Sequence, residues 1–232
     1  MRLAILMTNT DESEFAHRHP KDGEKFTDMI HSVRPTWQTE VFSVKDDEFP
    51  ESLWAFDGAM ITGSPASVLD PDPWVDQTVQ LLQDAIAREF PLFGACFGHQ
   101  AIAKALGSGI IQNPEGWAFG RVSMDVVSDN DLPTQIDQYA AHIEQVESLP
   151  EGAKLALTSK ACPIGGFTIG STVMTTQNHP EMTPDFISAL VDEYHAKLPS
   201  EVAERAAASL SETVDGRAYA EAIARFFEKA VQ

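Results

Sequence analysis

The sequence predicts an α/β fold, a doubly wound and mostly parallel sheet with antiparallel strands added late and a helical C-terminal tail. Three observations carry this. Short apolar runs at residues 2–8, 57–62 and 91–95 alternate with segments of helical period at 24–33 and 74–88, the order that builds a parallel sheet covered by helices. The second and third of these runs end at turns rich in small residues, where the ligand crevice of such a sheet lies. Past Leu106 the apolar runs shorten and are joined by turn-like connections such as Ile169-Gly170-Ser171-Thr172, the mark of added antiparallel hairpins.

In chain order, residues 2–8 are dominated by Leu, Ile and Met and read as the first, central strand. Residues 9–23 are polar and read as a loop. Phe26, Met29, Ile30 and Val33 recur at helical spacing, and residues 37–44 alternate apolar with polar as a strand does. Residues 57–62 form the next strand. A helix over 74–88 presents Trp74, Val75, Thr78, Leu82, Ala85 and Ile86 on one face, and the strand 91–95 follows. Strand-like pieces then appear at 110–112, 121–127, 154–157, 166–169 and 171–176. Residues 182–198 are helical, and 200–232 hold two short helices whose apolar stripe includes Ala222, Ile223, Phe226 and Phe227. We read one domain over 1–198, with 199–232 a helical extension of it.

A chain of 232 residues with 43% apolar content supports a core of this size. Its formal net charge of −19 argues against nucleic acid and anionic membrane as partners, because both require a basic footprint. The apolar N-terminal run, residues 1–7, is too short for a secretory signal, and no stretch is long enough to span a bilayer. A cytoplasmic, reducing setting is therefore expected, and Cys96 and Cys162, the two cysteines, are read as free thiols. Cys162, with no glycine turn around it, reads as a packing residue. His17 and His19 have metal-ligand spacing but no third ligand nearby, so no metal is expected.

The chemistry centres on Gly94-Ala95-Cys96-Phe97-Gly98. A nucleophile on a tight strand-to-helix turn needs neighbours without side chains, so that strand and helix can close around it. At the helix N-terminus, unpaired N–H groups and the positive end of the helix dipole favour thiolate over thiol. Alone, Cys96 reads more simply as a small buried apolar residue, with the glycines only ending a strand. Gly63, in Thr62-Gly63-Ser64-Pro65, and His179 and Glu181, in His179-Pro180-Glu181, each follow another predicted strand. A cysteine, a histidine and a carboxylate beyond strand ends are the parts of an activated thiol with an oriented base.

Thr62-Gly63-Ser64-Pro65-Ala66-Ser67-Val68, Gly94-Ala95-Cys96-Phe97-Gly98-His99-Gln100 and Gln177-Asn178-His179-Pro180-Glu181 resemble, in order, the three motifs of class I, triad-type glutamine amidotransferases. The likeness covers about residues 1–190 and is nearest to the glutaminase domain of GMP synthase and its stand-alone relatives. It implies a flavodoxin-like sheet and a cysteine-dependent amidohydrolase without a cofactor. Cys96 would be the nucleophile toward a glutamine or γ-glutamyl side-chain amide, His179 the base and then the acid, and Glu181 the residue that orients the imidazole. The Gly63 and Phe97 backbone N–H groups would form the oxyanion hole. Gln100 and the backbone around Phe119 and Gly120 would hold the amino-acid end of the substrate, and His99 would support the turn.

Ala140-Ala141-His142-Ile143-Glu144-Gln145-Val146 aligns with a segment that reads nearer Ser-His-x-Asp-x-Val in GMP synthases. Ala141 and Glu144 depart from that pattern, and Asn178 stands where many members carry an aromatic residue; these departures bear on substrate identity. With only a short tail after Leu198, ammonia has no destination within this chain. Either a separate synthetase subunit covers the crevice, or the enzyme is a stand-alone hydrolase, the preferred reading. A non-catalytic binding module would show a broken triad, which this chain lacks. The acidic tail is left to pack on the domain, form a homodimer contact or meet a partner.

Overall fold

Leu3 and Ile5 point to one side of the first strand and Ala4 and Leu6 to the other, and all four are fully buried. A strand apolar on both faces needs helices above and below it, and the structure, a computed structural model describing residues 1–127 and 132–231, supplies them. Gln232, the last residue of the expected helical extension, lies outside the described residues. The strands are β1 (Arg2–Met7), β2 (Gln38–Ser43), β3 (Gly58–Ile61), β4 (Leu92–Ala95), β5 (Ile110–Gln112) and β6 (Ala118–Val126), then β7 (Gln135–His142), β8 (Glu144–Val146), β9 (Lys154–Thr158), β10 (Gly166–Ile169) and β11 (Val173–Thr176). The helices are α1 (Glu14–His17), α2 (Asp22–His31), α3 (Pro73–Ala87), α4 (Phe97–Ala105), α5 (Pro184–Tyr194), α6 (Ser200–Ser209) and α7 (Gly216–Ala230).

Nine strands form one sheet in the order β2-β1-β3-β4-β11-β10-β9-β6-β7, and β5 pairs with β8 in a small second sheet. The first five strands of that order run parallel, and β10, β9, β6 and β7 continue the sheet antiparallel. This is the expected doubly wound sheet with its late hairpins, including the β10–β11 turn, where Gly170 takes φ 52°. Helices α3 and α4 cover one face through Val75, Leu82, Phe97 and Ile102 against Ala4, Ile61 and Leu92. On the other, α2 and α7 bring Phe26, Ile30, Ile223 and Phe227 against Leu3, Ile5 and Phe93.

Four readings of the sequence are corrected. β1 is second from the edge, and β4 and β11 lie at the middle; a strand covered on both faces is equally apolar in either place. The expected loop 9–23 contains α1, whose four residues are too few to show a period; it is held by the Ser13 hydroxyl, which accepts from Ala16 N at 3.2 Å, and by burial of Phe15. The same segment also gives up its last two residues, Asp22 and Gly23, to the start of α2. β7 and β8 fall in a stretch to which the sequence reading assigns no element, because their buried side chains include the polar Gln138, His142 and Gln145.

The C-terminal helix is part of the second core. Gly58 leaves room for it, since a Cβ there would lie 2.6 Å from the Phe227 ring. Arg34, just after α2, ties it down with a pair of bonds to Glu228 at 2.6 and 3.1 Å and one to Glu221 at 3.1 Å. Across the sheet, His99 is fully buried on α4 and its Nδ1 lies 2.9 Å from the Thr175 hydroxyl of β11. Burial, with the charge on His142 acting in the same direction, pushes the His99 pKa down to about 3 from an ordinary 6.5.

Two stability predictions result. Phe227→Ala removes a fully buried ring and should cost roughly 3–5 kcal/mol, read as a lower urea midpoint and greater protease sensitivity. The unfolded chain takes a proton on His99 below about pH 6.5 while the folded chain resists to about 3, so this contribution to stability is complete above pH 6.5 and is lost on acidification through that window. His99→Asn, which keeps a donor near the Nδ1 position, should therefore lose less stability than the parent chain between pH 6.5 and 4, measured as urea midpoint against pH.

Candidate active site

After Ala95 the chain turns through Cys96 at φ 51° and ψ −107°, and α4 begins at the next residue. A non-glycine residue at positive φ is strained, by about 1–3 kcal/mol, and persists only where its surroundings enforce it. They do so here. Cys96 N donates to Thr176 O of β11 at 2.9 Å, Gly98 N to Thr62 O at 3.1 Å, and Gln100 N to Cys96 O at 3.0 Å. A Cβ at Gly94 would lie 2.6 Å from the Gly98 backbone, and one at Gly98 would lie 2.4 Å from the Ile61 carbonyl. Both flanking glycines are thus required by close backbone approach.

β11 runs beside β4, so the chain leaving it arrives next to the cysteine. His179 N donates to Tyr139 O at 2.8 Å, which hangs this segment on β7. The His179 Nδ1 is 2.7 Å from Glu181 Oε1, both side chains being buried. Because the carboxylate can only accept, Nδ1 carries the proton of this bond and Nε2 is the atom left for the sulfur. Burial disfavours the charged imidazole, yet the Glu181 carboxylate and the hydrogen-bonded Cys96 sulfur together favour it by more, and the His179 pKa is raised well above its ordinary value.

Gly63 completes the cluster. A Cβ on it would meet His179 Cε1 at 2.7 Å and Cys96 Cβ at 3.5 Å. The Thr8 hydroxyl sits 3.0 Å from Gly63 O and 3.1 Å from Thr62 O and fixes the loop. Among the described residues, neither the Gly63 nor the Phe97 backbone N–H has an acceptor. The Phe97 ring points away into the core, stacked on Trp74 at 5.4 Å.

Cys96, His179 and Gly63 open onto a cavity of about 360 Å³ that Gln100 and Phe119 also line. The Gln100 amide donates to Glu144 O at 3.0 Å and Gln177 Oε1 at 3.2 Å. Both of its N–H groups are spent, so its oxygen remains for a ligand. Gly120 is not brought to the cavity: it lies at φ 86° under α6, where a Cβ would meet the Ser209 hydroxyl at 2.6 Å. His142 lines the cavity with Nδ1 3.0 Å from Glu144 O. Burial pushes its pKa down to about 4; the Glu144 carbonyl opposes this and the His179 charge adds to it. Its Nε2 is therefore a neutral acceptor.

Thr8, Tyr139 and Thr176 position the site through backbone or hydroxyl contacts, and no sequence pattern marks them. His142 had a signal, the aligned segment around it, without an assigned role. Among the described residues no group of three or more His, Cys, Asp and Glu gathers as a metal site. His17 lies 3.5 Å from Glu12 and His19 stacks near Phe15. Both cysteines are free and buried, and burial pushes the Cys162 thiol up to about 12.

Known proteins resemble this chain in sequence and in fold. Gamma-glutamyl peptidase 3 of Arabidopsis thaliana is 29% identical over 167 residues, 67% of this chain and 67% of that protein. One subunit of the glutamine-hydrolyzing GMP synthase of Archaeoglobus fulgidus is 28% identical over 144 residues, 60% of this chain and 74% of its own. The solved structure of a glutamine amidotransferase from Thermotoga maritima superimposes with a TM-score of 0.78 over 100% of this chain and 98% of its own, at 19% identity, a likeness of fold. The model of the family "glutamine amidotransferase class-I" matches residues 23–188, most of the chain. With that match, the chain belongs to the class I glutamine amidotransferase family.

Proposed function

We propose that this chain is a cysteine-dependent amidohydrolase that cleaves the side-chain amide of glutamine or a related γ-glutamyl compound. The observation that carries the reading is the buried His179–Glu181 pair, 2.7 Å apart, set against a cysteine held at φ 51°. The Cys96 sulfur, its proton passed to His179 Nε2, attacks the γ-carbonyl carbon. Oxygen bearing the developing charge is received by the uncommitted N–H groups of Gly63 and Phe97, donors in place before reaction. His179 gives its proton to the leaving nitrogen as the C–N bond breaks. A γ-glutamyl thioester remains on Cys96, and His179 then takes a proton from water as that water attacks it, releasing glutamate. Glu181 holds the ring with Nε2 toward the sulfur throughout. Gln100 Oε1 and His142 Nε2 are the acceptors for the substrate α-ammonium, and the wall at Phe119 bounds the same end.

The stand-alone hydrolase is supported by the gamma-glutamyl peptidase relatives, and the reaction needs only water beyond this chain's residues. A second reading, the glutaminase subunit of a two-chain amidotransferase, is favoured by the likeness to the GMP synthase subunit of Archaeoglobus fulgidus. In that case ammonia would pass to a synthetase docked over the crevice.

A γ-glutamyl chloroketone should alkylate Cys96, and Cys96→Ala should release no glutamate from glutamine or γ-glutamyl amides. Glu181→Gln should lower kcat by roughly 10²–10⁴-fold, the range expected when a catalytic imidazole loses its orienting carboxylate. Steady-state glutamate release and mass spectrometry of the alkylated peptide read both. Full activity in Cys96→Ala would exclude the mechanism, and glutamate release that appears only on adding a synthetase chain would select the two-chain reading.

A further inference from the structure

The cavity does not end at the triad. It continues without a break to a wall built from α1, the segment before α2, α5 and the start of β6, where Phe15, His19, Trp117, Phe186 and Tyr194 line it. Phe15, His19 and Phe186 are in mutual ring contact: Phe15 and His19 lie 4.5 Å apart between centroids, and Phe186 stands edge-on to His19 at 5.5 Å; Trp117 and Tyr194 form a second group around Phe119, at 6.1 and 5.7 Å from it. A glutamine whose leaving group is ammonia needs none of this. The volume of about 360 Å³ lies at the lower end of the roughly 300–1,000 Å³ of small-molecule pockets.

Two of the lysines in this outer part are already paired. Lys25 Nζ is buried, 2.7 Å from Asp22 Oδ1 and 3.4 Å from the centre of the Phe186 ring, and Asn9 donates to the other Asp22 oxygen at 2.7 Å. Lys45 is held by Glu12 at 2.7 Å and Asp46 at 2.9 Å. With both of these lysines paired, neither offers a lone charge beside the rings, whose faces and edges line the wall, and Lys21 lies at the same cavity.

We infer that this ring-lined extension is a leaving-group subsite, and that the substrates are γ-glutamyl amides whose nitrogen carries an apolar, ring-bearing group. The inference rests on the amidohydrolase reading above and extends it outward from the thiol. The chemistry is unchanged: the amide C–N bond breaks as the C–S bond forms, His179 protonates the nitrogen, a ring-bearing amine leaves, and water converts the thioester to glutamate. Burial of the ring acts on a part of the substrate remote from the bond cleaved, and such binding raises kcat/KM when it is kept in the transition state.

Glutamine, γ-glutamyl ethylamide and γ-glutamyl 2-phenylethylamide separate the two claims, since the two substituted amides release alkylamines and differ chiefly in the ring. The parent chain should favour the phenylethylamide over the ethylamide by at least about tenfold in kcat/KM, as burial of one aromatic ring provides. Phe186→Ala and His19→Ala should shrink that ratio several-fold while leaving kcat/KM for the ethylamide within about twofold, and Phe186→Leu should keep part of the preference. Equal turnover of the two amides by the parent chain, or variants that lower both equally, would overturn the subsite and leave the hydrolase standing. No turnover of any of the three, with Cys96 inert to the chloroketone, would overturn both.

Discussion

The site depends on how closely α4 can approach the strands beneath it. Gly94 touches the Gly98 backbone and Gly98 rests against the Ile61 carbonyl, contacts with no room for a methyl group. That proximity forces the chain through an unfavourable φ at Cys96, and the hydrogen bonds to Thr176 O and Thr62 O hold it there. Strain at one residue is maintained by two strands that are themselves fully buried. The candidate site residues are then placed by sheet order: β3 delivers Gly63, β4 the cysteine, and β11 the histidine and glutamate.

Four buried ionisable side chains around this point behave differently because their partners differ. His99 and His142 meet only neutral groups in direct contact, so burial keeps them uncharged. His179 sits at comparable depth but between a carboxylate and a sulfur, and its charged form is favoured. Glu181 spends one oxygen on that imidazole and, among the described residues, has no partner for the other. Burial is common to all four; the neighbouring charge decides the protonation state of each imidazole.

Outside this centre, the structure divides into parts that hold the site and parts that shape what reaches it. The α7 helix works at a distance, anchored by Arg34 and filling the space left by Gly58. α6 presses on β6 at Gly120, while α1 and α5 contribute rings to the cavity wall. The triad belongs to the segments that resemble the family motifs. The wall is made of residues outside the three motifs: Phe15 on a four-residue helix, Phe186 and Tyr194 on the helix that follows the triad, and His19 and Trp117 on connecting segments.

The chain itself determined the α/β class, the parallel order of the early strands, the elbow and the presence of His179 and Glu181. Each is written in local patterns of a few residues: apolar period, glycine spacing and the residues at strand ends. Tertiary structure alone decided that β1 lies near the edge, that polar Gln138 and His142 belong to a strand, and that Gly120 packs under α6 away from the cavity. It also decided that Phe15 and Phe186, separated by most of the chain, share one wall. Those outcomes depend on which segments become neighbours across the sheet, and hydrophobic pattern reports burial without saying against what a residue is buried.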